Sequence, residues 1–142
     1  GPQYMNTVGY GYTSFNDRRF EYGMNTWLGR TTYYTLHAPS VDQVLTSVMH
    51  SYETGYPTVV DEQERRGGPH FNNHSNSTFS HIMVVDSYDS STGAVSFVDP
   101  GYTLWGGAQS IFWYPSLSTF TRTHLQNEVI NDGKQHIGIY TS

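Results

Sequence analysis

Hydrophobic and polar positions alternate most regularly from residue 80 to residue 101, SHIMVVDSYDSSTGAVSFVDPG. Ile82, Val84 and Tyr88 alternate with His81, Met83 and Val85, and Val95, Phe97 and Val98 follow after Gly93. β-Branched and aromatic residues are dense in both runs, and the intervening DSSTG is a turn cluster, so the pattern predicts two strands joined by a tight turn. Pro100 cannot donate to a ladder, which ends the second strand at Asp99. If Tyr88 pairs with Ala94 across a five-residue loop, Met83 lies opposite Asp99. His81 and Asp99 then project from one face as diagonal neighbours, about 7–8 Å apart at the backbone. A slip of one residue would turn them to opposite faces.

Elsewhere the period changes. Val41, Val44, Leu45, Val48, Met49 and Tyr52 form an apolar stripe at helical spacing. Ser40 and Gln43 supply a capping box before it and Gly55 a stop after it, so a helix is predicted over residues 41–53. A second helix is expected from Ser14, with Phe20, Met24, Trp27 and Leu28 on one face and Gly29 as its stop. The runs TTYYTL (31–36), YPTVV (56–60), SIFWY (110–114) and KQHIGIY (134–140) read as strands, and residues 116–120 as a short helical turn. Residues 61–79 read as a long polar connection leading into His81, a length that suggests a functional segment, here a substrate-side flap. With no repeat or linker visible, the chain is expected to be one domain of α+β class, an antiparallel sheet with helices on one side.

Composition narrows the partners. The 142 residues carry 7 basic and 12 acidic side chains, a net charge of −5, which argues against nucleic acid or an anionic membrane surface. No apolar run reaches membrane-spanning length. Charged residues are only 13%, about half the usual share, and polarity comes instead from Ser, Thr, Asn, Gly and 12 Tyr, the look of an exported bacterial protein. There is no cysteine, which removes disulfides and any thiol nucleophile from this chain. Gly1 and Pro2 resemble a protease scar from an expression tag and carry no fold meaning.

Two ways of using the histidines follow. A carboxylate at Asp99 bonded to one nitrogen of His81 would fix the ring and leave the other nitrogen free as a base; the alternative is a half-buried histidine satisfied by a neighbour. His70, His74 and His81 together suggest a metal-dependent hydrolase. Yet the four-residue spacing of the first two aligns ligands only on a helix, and here they sit in a Gly/Asn/Ser loop, so no metal and no cofactor is expected. His50 lies off the helix stripe and is expected in solvent. Asn73 and Asn76 head glycosylation sequons, relevant only in a eukaryotic secretory route. The scattered Tyr and Trp could line a sugar or peptide groove, or serve as core and rim. No serine sits in a G-x-S-x-G elbow.

The order of these parts resembles papain-fold cysteine peptidases of the bacteriocin-processing (double-glycine peptidase) type, as found in actinobacterial exported proteins and phage lysins. The matching pieces are the helix at 41–52, GYPTVV (55–60), RGGPHFNNH (66–74), SHIMVVDSYD (80–89), GAVSFVDPG (93–101), and the strand and turn at 110–120. The resemblance implies that His81 is the general base and Asp99 the carboxylate that orients it. It places the cysteine nucleophile and an oxyanion-hole glutamine N-terminal to this chain, with QYMNTVGYGYT (3–13) as the end of the segment after the cysteine helix. The chain is then expected to be the C-terminal part of a peptidase domain acting on peptide or peptidoglycan amide bonds, secreted or at the cell surface, and inactive by itself. An apolar groove left by the cysteine helix would be filled by a complementing N-terminal segment, a homodimer or a rearranged element of this chain. A non-catalytic peptide- or glycan-binding module of the same fold is the alternative.

Overall fold

A computed structural model describes residues 34–126 and 138–141. Its elements are β1 (Tyr34–His37), α1 (Val41–Thr54), β2 (Val59–Glu64), β3 (Phe79–Asp89), β4 (Ala94–Val98), β5 (Ile111–Tyr114), α2 (Leu117–Phe120) and β6 (Gly138–Thr141). A wider, π-type turn over Thr121–Gln126 continues α2. The six strands form one sheet in the order β1-β6-β2-β3-β4-β5, with every pairing antiparallel. The class is therefore α+β. The helix expected from Ser14 lies outside the described residues, as do residues 3–13 and the first three positions of TTYYTL.

The helix α1 forms as its sequence dictates. The Ser40 hydroxyl accepts from Gln43 N at 3.1 Å while the Gln43 side chain accepts from Ser40 N at 2.8 Å, closing the capping box. Gly55 ends the helix at φ +76°, the left-handed conformation that glycine adopts without a Cβ penalty. Its stripe is only half used. Val44 and Val48 are fully buried, contributing about 1.5–3 kcal/mol each, whereas Met49 and Tyr52 remain 45% and 51% exposed, contrary to the expected full apolar face. Val44 and Val48 join Leu117, Phe120 and Leu125 in one core with Val60, Met83, Val85, Val95, Phe97, Phe112 and Ile139. The register of the strands places all seven sheet residues on the same face, so both described helices pack on one side.

Two expectations about the strands need correction. Tyr88 does not pair with Ala94; Asp89 does, and Tyr88 faces Val95. A bulge between Val85 and Ser87 then shifts the register by one, so that Val85 faces Phe97 and Val84 faces Val98. Continued past Val98, this phase sets Met83 opposite Asp99. Without the extra residue Asp86, Asp99 would face away from His81, because one step of register reverses every side chain. Asp86 is held by Ser96, whose hydroxyl donates to Oδ2 at 3.1 Å.

The second correction concerns residues 61–64, expected to begin a polar loop. Asp61, Glu62, Gln63 and Glu64 are instead the outer part of β2, paired with β3 and buried throughout. The strand reads as a loop because its second half is charged; pairing with β3 and burial override that local polarity. The remaining connection, 65–78, is tied down rather than left as a free flap. Asn72 donates to Asp99 Oδ2 and to the Gln109 carbonyl, and accepts from Gln109 N, all at 2.9 Å.

Candidate functional site

The core face of the sheet is apolar at one end and polar at the other. Along β2 the inward positions run Val60, Glu62, Glu64, and along β3 Val85, Met83, His81, Phe79, with Glu62 opposite His81 and Glu64 opposite Phe79. Asp99, immediately after β4, completes the polar end. The loop 65–78 returns His74 to the same place: Asn72 and Asn73 take left-handed φ values of 49° and 59°, which Asn tolerates better than most residues. A turn closes from His74 N to Phe71 O at 2.9 Å.

Asp99 is the hub. His81 Nε2 lies 2.6 Å from Oδ1, and Gly101 N donates to the same oxygen at 2.9 Å. His74 Nε2 lies 2.6 Å from Oδ2, which also accepts from Asn72 Nδ2 at 2.9 Å. The other nitrogen of His74, Nδ1, is 2.6 Å from Glu64 Oε2. His81 and Asp99 thus stand on one face and in contact, the geometry the strand pattern predicted. His81 Nδ1 makes no hydrogen bond among the described residues, and the His81 side chain keeps 12% exposure while Asp99, His74 and Glu64 have none. Trp105 stacks on His74 with centroids 4.0 Å apart and meets His81 edge-on at 5.2 Å.

Electrostatics follow from this packing. Burial pushes the Asp99 carboxyl up, but hydrogen bonds from His74, His81 and Asn72 outweigh it, and the group is held below the usual carboxylate range. Burial disfavours charge on His74, yet its bonds to Glu64 and Asp99 and their negative charge raise it above an ordinary histidine. Glu62 is pushed well above the carboxylate range by burial, by the charge of Glu64 and a close carboxyl–carboxyl approach to it, and by the charges of Asp61 and Asp99. Asp61 is also raised, by burial. His124, in the π-type turn, donates from Nδ1 to the Gln63 carbonyl at 2.8 Å and is lowered by burial.

The three histidines of the metal-hydrolase alternative do not form one set. His70 stands apart, with Nδ1 and Nε2 each 2.9 Å from a carbonyl oxygen, of Gly68 and Ser77. Both ring nitrogens are turned to backbone carbonyls, not to His74 or His81. His74, expected as a loop residue, is buried at the centre of the cluster. His50 is exposed, 3.7 Å from Glu53. Sequence reasoning also missed Glu62, Glu64 and Trp105. The available signal was the period of two from Val60 through Glu62 to Glu64, in phase with a buried strand.

A scan against protein-family models and searches of the curated proteins and of the solved structures found no match to this chain. What fold and site define together is an α+β domain with a histidine–carboxylate network at one end of its core.

Proposed function

We propose that His81 and Asp99 are the base and orienting carboxylate of a papain-like cysteine-peptidase site that hydrolyses peptide or peptidoglycan amide bonds. The observation that carries this reading is the way His81 is held. Its Nε2 is committed to Asp99 at 2.6 Å, while Nδ1 has no partner among the described residues and the ring keeps contact with solvent. An imidazole fixed on one side and free on the other is what a general base requires. The chain contains no cysteine, so the thiolate would come from outside it. In such a site the thiolate attacks the carbonyl, and the proton on Nδ1 of His81 passes to the departing amine while Asp99 holds the ring and balances the imidazolium. Secretion or display at the cell surface goes with this substrate class.

The test uses the native polypeptide that carries this domain, assayed on a fluorogenic peptide and on peptidoglycan cross-bridge peptides. His81→Ala is expected to lower the rate by at least about 100-fold, and thiol alkylation to abolish it, while the 142-residue chain alone cleaves nothing. An unaltered rate in His81→Ala refutes the proposal, as does cleavage by the isolated chain that depends on His81.

A non-catalytic binding module is the second reading, favoured by the exposed Tyr102, Leu104 and Trp113 on the loop after Asp99 and on β5. Saturable binding of uncleaved peptide or glycan, weakened by Trp113→Ala, would select it.

A further inference from the structure

Beside the His81–Asp99 pair, deeper in the sheet, lies a second constellation with a different chemistry. Glu62, Glu64 and His74 are 0%, 1% and 6% exposed, and each offers a ligand atom within 4.8 Å of the others. The two glutamates are two residues apart on β2 and point from one face; His74 is brought in by the Asn72–Asn73 turn. Both carboxylate oxygens of Glu62 and Oε1 of Glu64 are buried and receive no hydrogen bond. Nearby, His124 Nδ1 is 3.6 Å from Glu62 Oε2, and its Nε2 is likewise buried without a partner. Because Nδ1 of His124 donates to a carbonyl, its Nε2 presents a lone pair. With both glutamates ionised, every one of these unsatisfied atoms is an acceptor. Among the described residues, the ion-pair partners of Glu62 and Glu64 are histidines only. Buried carboxylates without donors are costly, and the ordinary remedies are protonation, pairing or a bound cation; two acids facing a third acceptor, His124 Nε2, and the His74 imidazole fit the last.

We propose that Glu62, Glu64 and His74 form a binding site for a divalent transition-metal cation, zinc being the best match. Two carboxylates and one imidazole are a ligand set zinc accepts, whereas calcium calls for six to eight oxygens. Glu62 and Glu64 contribute carboxylate oxygens and His74 contributes Nδ1; the cation takes the place of the proton that Nδ1 shares with Glu64, which leaves to solvent. The outer contacts are already in place: His74 Nε2 faces Asp99 Oδ2 at 2.6 Å, the carboxylate–histidine arrangement that orients metal-bound imidazoles. Asp99 is itself fixed by Asn72 and Gly101 N, and Trp105 covers the His74 ring. The site is distinct from the three-histidine set, since both nitrogens of His70 are turned to carbonyls elsewhere and His81 Nε2 is bonded to Asp99.

The experiment needs no catalytic assay, so its result is independent of the peptidase reading. The chain is stripped with chelator, dialysed, and titrated with zinc chloride while the melting temperature is followed; zinc retained after desalting is measured by mass spectrometry. One zinc per chain and a saturable rise in melting temperature are expected. Glu62→Gln and Glu64→Gln should each weaken retention at least about 100-fold, and Asp99→Asn by about 10–100-fold, while His70→Gln leaves it unchanged. As a measurement on the unaltered chain, cobalt(II) should give the visible absorption of a four- or five-coordinate N/O site. Only the faint spectrum of hydrated cobalt, or zinc held equally by wild type and both glutamine variants, overturns the proposal. So does a melting temperature indifferent to zinc but raised by Glu62→Gln, which would show the acids to be buried as protonated groups.

Discussion

The most exacting test of the site geometry is the removal of the Asp99 carboxylate. That group accepts four hydrogen bonds: from His81 and Gly101 on one oxygen, and from His74 and Asn72 on the other. Asp99→Ala leaves all four donors without it. His81 is open enough for water to substitute, and Asn72 keeps its bond to the Gln109 carbonyl. His74 has no such recourse: its Nδ1 keeps Glu64, but its Nε2, in a fully buried side chain, loses the one carboxylate it faces. Removing one member of such a buried histidine–carboxylate network costs about 3–5 kcal/mol. Asp99→Asn differs in an instructive way. Its amide can turn its NH2 toward His74, which can keep its proton on Nδ1, facing Glu64 Oε2, and accept at Nε2. The amide oxygen then still serves His81 and Gly101, and Asn72 gives up this bond but keeps the Gln109 carbonyl, so the variant should lose only about 1–2 kcal/mol. Urea unfolding of the three proteins at pH 7, with equal m-values, reads both numbers. The reasoning fails if Asp99→Ala lies within about 0.5 kcal/mol of wild type, or if Asp99→Asn costs as much as Asp99→Ala.

Two further predictions follow from the same cluster. In metal-free protein, the depressed Asp99 contributes stability that is present above its unfolded value near 3.8 and lost as pH falls through its lower folded value. The raised His74 contributes stability present below its unfolded value near 6.5 and lost as pH rises through its higher folded value. Melting temperature should therefore peak between these limits, and Asp99→Asn should flatten the acid side; an unchanged acid side in that variant contradicts the assignment. Gly101→Ala would set a Cβ 2.7 Å from His81 Cε1 and 3.2 Å from Trp105 Cζ3. Displacement of both rings should cost about 1–3 kcal/mol and shift the His81 ring signals in NMR spectra; unperturbed His81 signals would refute that contact.

Much of the frame was legible because local signals agreed with the final packing. The capping box at Ser40 and Gln43 and the glycine stop at Gly55 bound α1 as written. The alternation in β3 and β4, with Pro100 after Asp99, brought His81 and Asp99 to one face. The reading erred where tertiary structure overrules local chemistry. Residues 61–64 have the polarity of a loop and the burial of a core strand, and that polarity masks the period of two that continues from Val60 through Glu62 to Glu64. His74 sits in a stretch with no period at all. Its destination depends on two left-handed asparagines and on contacts with residues 99 and 109, which only the folded chain brings near. The expected pairing of Tyr88 with Ala94 was wrong, yet the register at the site came out as foreseen, because the bulge at Asp86 cancels the difference.

That extra residue has a bearing on how the hairpin tolerates change. The tip at residues 89–93 lies on the far side of Asp86 from the site, so variation in its length can be absorbed locally without disturbing His81. Excision of Asp86 alone would do the opposite. It would leave every side chain chemically intact and still part the imidazole from its carboxylate, one above the sheet and one below, as a zip fastener closed one tooth out of step no longer meets at its end.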